Sequence, residues 1–68
     1  MRIELNGEPA ELENGATVAD VVVKVGGDSR RRGIAVAIDF EVVPRAEWES
    51  TALGEGQSVE IVTAIQGG

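Results

Sequence analysis

The sequence predicts an α+β roll, one helix laid across one face of a mixed sheet of four to five strands. Three observations lead there. Both ends of the chain alternate apolar and polar residues with the period of a half-buried strand. A valine stripe at helical spacing lies between them, in "TVADVVVKV". The breaks between segments are short and rich in Gly, Asn and Asp, so consecutive elements must pack on one another.

The elements follow in order. "MRIELN" puts Ile3 and Leu5 on one face and Arg2 and Glu4 on the other. Asn6-Gly7 then supplies the two residues that best tolerate the positive φ of a type I′ hairpin turn. "EPAELE" is the return strand, with Ala10 and Leu12 together on one face. Pro9 near its start has no N–H to donate, which suits a sheet edge or a strand beginning.

In "NGATVADVVVKVGG", Thr17 with Asp20 three residues on is a capping-box pattern. Val18, Val21, Val22 and Val25 fall at i, i+3, i+4 and i+7, one stripe of a helix of two to three turns. Five valines between positions 18 and 25 cost helix propensity, and "VVV" alone also fits a strand. Gly26-Gly27 supplies the stop.

"DSRRRG" reads as a loop. "IAVAID" is a strand with Ile34, Val36 and Ile38 on one face and Ala35 and Ala37 on the other. "EVVPRAEW" holds a short strand ended by Pro44, then a single turn carrying Trp48. After the turn "GEGQ", the segment "SVEIVTAI" sets Val59, Ile61, Thr63 and Ile65 against Glu60, Val62 and Ala64. The order is ββαβββ, with the strands flanking the helix expected side by side. This is a roll of the β-grasp kind.

Composition narrows the function. A chain of 68 residues holds one domain, expected to run over 1–65 with a flexible tail at 66–68. No cysteine and no histidine are present, which removes thiolate metal sites, thiol nucleophiles and both the serine triad and the cysteine dyad. Twelve acidic against six basic residues give a net charge of −6, a surface that repels nucleic acid and anionic membranes and favours a basic partner. The cluster Arg30-Arg31-Arg32 reads as a solvated loop. The pairs Glu11/Glu13 and Glu47/Glu49 read as solubilising charge, and Gly54-Glu55-Gly56 as a turn without a helix to bind phosphate. No apolar run approaches the ~20 residues of a membrane span, and the start lacks the pattern of a secretory signal. A cytoplasmic protein that is not an enzyme is the expectation.

One reactive group remains, the main-chain carboxylate after Gly67-Gly68. With an ordinary pKa of roughly 3.3–3.7 it is ionised and able to attack an activated phosphate. Two glycines make the thinnest chain end that can thread into another protein's active site. On the tail alone, a frayed end or a cloning remnant explains the same residues.

The rest of the chain separates these readings. "IELNGE", "NGATVADVV", the spacing "VPR..W" and the terminal "GG" together resemble the ThiS-type sulfur carrier proteins of thiamin biosynthesis over nearly the whole chain. Asp39-Phe40 stands where such proteins commonly have Asn and a small or polar residue, and Gln57 where an Asp is usual. The resemblance implies a ubiquitin-like β-grasp carrier with no permanent cofactor. An E1-like adenylyltransferase (ThiF-type) would use ATP and magnesium to adenylate Gly68, with Gln66 and Gly67 recognised on the way in. Sulfur drawn from cysteine through a desulfurase would give a thiocarboxylate, which thiazole synthase (ThiG-type) would consume.

A MoaD-like subunit for molybdopterin synthesis, a carrier for another sulfur pathway or a protein modifier would begin from the same acyl-adenylate. A plain β-grasp interaction module would ignore the tail. For docking, Ala35, Ala37, Val62 and Ala64 are expected to form a flat apolar patch on the sheet face turned from the helix.

Overall fold

The structure, a computed structural model, describes residues 1–25 and 33–63. The elements are β1 (Arg2–Leu5), β2 (Glu8–Glu11), α1 (Val18–Lys24), β3 (Ile34–Ile38), β4 (Glu41–Val42), a 3-10 turn (Arg45–Glu47) and β5 (Ser58–Thr63). They form one five-stranded sheet in the order β2-β1-β5-β3-β4. β1 and β5 pair parallel, and the other neighbours pair antiparallel.

The first hairpin turns as its residues require, with Asn6 at φ 50° and Gly7 at φ 84°. Pro9 lies in β2, at one edge of the sheet, opposite Glu4. The helix begins with a complete capping box. Asp20 N–H donates to Thr17 Oγ1 at 3.4 Å, and Thr17 N–H donates to Asp20 Oδ2 at 2.9 Å.

Two expectations need correction. The strands flanking the helix, β2 and β3, are not neighbours, because β1 and β5 lie between them. β5 carries buried Val59 and Ile61 and takes the centre, where both its neighbours satisfy its backbone. The valine stripe is also one residue shorter than its spacing. Val18, Val21 and Val22 are buried, but Val25 is the C-cap of a seven-residue helix and is 46% exposed. The fourth position lies past the last turn, beyond the reach of the sheet. Gly26-Gly27 and the arginine cluster lie outside the described residues.

One aliphatic core joins α1 to the sheet. Ile3, Val18, Val21, Val22, Val36, Leu53, Val59 and Ile61 pack with a single aromatic, Trp48. Trp48 closes the cluster at 2% exposure, and its indole N–H donates to the Val43 carbonyl at 2.9 Å. That bond removes the penalty of burying an indole N–H. The Arg45 guanidinium lies 5.3 Å from the centre of the Trp48 ring. It shields the outer side of the lid.

Candidate functional site: the outer sheet face and the strand that leads to the C-terminus

β5 is the last described strand, and three turns hold it. Asn6, at the end of β1, donates its backbone N–H to the Val59 carbonyl at 2.9 Å and bonds Ile61 through its side chain. Asp39 donates its N–H to the Ser58 carbonyl at 2.7 Å, and its carboxylate accepts the Ser58 N–H at 3.0 Å. Gln57, just before β5, accepts the Gly54 N–H on Oε1 at 2.7 Å, which closes the turn ahead of the strand. Each of these side chains spans two elements or closes a turn, so the start of β5 is fixed on both sides.

The face turned from α1 has two halves. Over β2 and β1 it is charged, with Arg2 Nε 3.1 Å from Glu11 Oε2 and Glu4 opposite Pro9. Over β5, β3 and β4 it is largely apolar. The register sets Ala35 directly opposite Val62, and Ala37 between Val42 and Glu60. Val62 is 63% exposed and Val42 73%; Ala35 is exposed and Ala37 half-buried. Three of the four residues expected in the patch therefore share one surface.

The fourth, Ala64, and the tail residues Gln66, Gly67 and Gly68 lie outside the described residues. Val42 and Phe40 are additions that sequence reasoning missed. A two-residue loop at Asp39-Phe40 pairs Ala37 with Val42, and that pairing would have placed Val42 on the patch.

Among the described residues no group of three or more His, Cys, Asp or Glu side chains is arranged to hold a metal ion. No described helix is long and apolar enough to cross a membrane.

A profile of the ThiS family matches residues 3–68, from the first buried residue of β1 to the terminal glycine. The chain belongs to the ThiS family. Among curated relatives of this ThiS-family chain, the sulfur carrier protein ThiS of Escherichia coli is 29% identical over 68 residues, covering all of both chains. The sulfur carrier protein ThiS of Thermus thermophilus is 38% identical over 64 residues, covering 94% of this chain and 95% of that one.

The thiazole synthase of Paramagnetospirillum magneticum is 34% identical over 68 residues; the match takes in all of this chain and spans only 20% of the length of that protein. The crystal structure of the thiamine biosynthesis protein ThiS from Geobacter metallireducens superposes with a TM-score of 0.78 at 24% identity, covering 100% of both chains. That likeness carries the fold, and the fold is the β-grasp roll.

Proposed function

We propose that this chain is a sulfur carrier of thiamin biosynthesis, a substrate of other enzymes and not itself an enzyme. The observation that carries the reading is a family match that continues through Gly68, the residue where the chemistry would occur. Relatives that are sulfur carriers and match over at least 94% of this chain support it. The cytoplasm is the compartment that suits it.

In this reading an E1-like adenylyltransferase binds the chain with ATP and magnesium. The Gly68 carboxylate attacks the α-phosphorus, pyrophosphate leaves, and an acyl-adenylate forms. The terminal sulfur of a desulfurase persulfide, drawn from cysteine, attacks the acyl carbon and expels AMP, and a thiol reductant then cleaves the resulting acyl disulfide to leave the thiocarboxylate. Thiazole synthase takes the sulfur from that group. A glycine pair suits the step because neither Gln66-Gly67 nor Gly67-Gly68 presents a second bulky side chain to a narrow channel. Ala35, Ala37, Val62 and Ala64 form the docking face, and the acidic surface draws partners with basic rims.

The experiment is ATP–pyrophosphate exchange by the adenylyltransferase of the same genome, with the full chain and with the chain lacking Gly68. Exchange with the full chain alone is expected. Equal exchange with both overturns the assignment of Gly68.

A further inference from the structure

Phe40 carries two costs at once. At 83% it is the most exposed large apolar side chain among the described residues. Its φ of 71° lies in the left-handed region, which glycine and asparagine adopt readily and a bulky side chain adopts only under strain. Its turn partner Asp39, at φ 49°, earns its place through two hydrogen bonds to Ser58. A ring so exposed does little for the core. Glycine or asparagine would serve the hairpin better, so the aromatic at this position answers to something outside the fold.

The surroundings narrow what that is. Val42, two residues on, pairs with Ala37, and Val62 pairs with Ala35, so Phe40 stands at the hairpin end of the apolar half-face. Asp39, in the turn, and Glu60, opposite Ala37, border this area and are both exposed. A second copy would bring two acidic rims and two chains of net charge −6 together, which opposes self-association. Anionic lipid is repelled for the same reason. A protein with an apolar pocket ringed by lysine and arginine meets both the ring and its acidic border. Among the comparisons, the macromolecule found joined to a sequence like this one is a thiazole synthase.

We propose that Phe40 is an aromatic anchor that enters an apolar, basic-rimmed pocket of thiazole synthase, with Val42 and Val62 packing around its mouth. The inference rests on the docking-face reading above and extends that face to the β3–β4 hairpin. Buried aromatic anchors carry a disproportionate share of interface energy. Phe40 is then retained for binding although the hairpin would be less strained without it.

The test uses the full chain in its carboxylate form and thiazole synthase from the same genome, so that binding is read without sulfur chemistry. Phe40→Gly, Phe40→Asn and Val62→Glu are each compared with the parent by calorimetric titration and by thermal melting. Both Phe40 variants are expected to bind about 10-fold or more weakly, while melting no lower than the parent. Phe40→Asn guards against any effect of added glycine flexibility.

Unchanged affinity of both Phe40 variants, with Val62→Glu weakened, overturns the anchor and leaves the docking face standing. Unchanged affinity of all three overturns both. A loss confined to the adenylyltransferase, run in parallel, overturns thiazole synthase as the occupant. A dimer of the parent that Phe40→Gly dissociates overturns it in favour of a second copy.

Discussion

The side-chain amide of Asn6 bonds the main chain of Ile61 in both directions. Ile61 N–H donates to Oδ1 at 2.8 Å, and Nδ2 donates to the Ile61 carbonyl at 3.3 Å. Asn6 has left the strand conformation to make the hairpin turn, at φ 50°. Its side chain nevertheless takes the place that another strand residue would fill, so the parallel β1–β5 pairing reaches beyond Leu5–Val59. One residue thus turns the first hairpin and steadies the last strand, the strand that leads toward Gly68.

Asn6→Gly keeps the turn conformation and deletes both side-chain bonds. It is expected to cost about 1–3 kcal/mol, the range for leaving a partly buried backbone group without its partner. The melting temperature should fall by about 4–8 °C for each kcal/mol lost. Amide hydrogen exchange at Ile61 is the specific readout and should accelerate more than exchange at Val36. An unchanged rate at Ile61 would mean that the side chain adds nothing to the β5 ladder.

Trp48→Ala removes the only aromatic in the core and leaves the Val43 carbonyl without its indole partner. A loss of about 3–5 kcal/mol is expected, a large fraction of the stability available to a domain of this size. Trp48→Phe fills most of the space and loses the hydrogen bond, so it should cost markedly less. Circular-dichroism denaturation of the two variants checks the order; equal losses would place the energy in the hydrogen bond and not in packing.

Much of this fold was legible because its signals are local. Asn6-Gly7, the Thr17/Asp20 box, Pro9 on an edge and the single turn carrying Trp48 each follow from residues within a few positions of one another. The strand order was not legible in the same way. Placing β5 between β1 and β3 depends on contacts more than 20 residues apart, decided by which strand most needs two neighbours. Helical spacing put Val25 in the stripe, yet spacing carries no information on where the sheet beneath the helix ends. The patch was half visible. Ala35, Ala37 and Val62 came from alternation within single strands, whereas Val42 required the hairpin register and Phe40 required its backbone angle. Asn6 was read as a turn former, and its bonds to Ile61 depend on a pairing that no local pattern announces.

Val62→Glu tests the docking face. Val62 is 63% exposed, so a carboxylate there meets water, and the melting temperature should change little. Placed opposite Ala35 and beside Glu60 on the same strand face, it should weaken binding to the adenylyltransferase or to thiazole synthase by about 10-fold or more. Normal binding to both, by a folded variant, would move docking to another surface.

The central claim is that Gly68 alternates between a carboxylate and a thiocarboxylate. Intact-protein mass spectrometry tests it directly, on chain incubated with the adenylyltransferase, ATP, magnesium, cysteine with a cysteine desulfurase, and a thiol reductant. The carrier account predicts a second species, heavier by the difference between one sulfur and one oxygen. It should require every component, vanish when Gly68 is deleted, and be consumed on adding thiazole synthase with its other substrates. Isopeptide-linked products would show a protein modifier instead, and the unmodified mass alone under all these conditions would contradict the account.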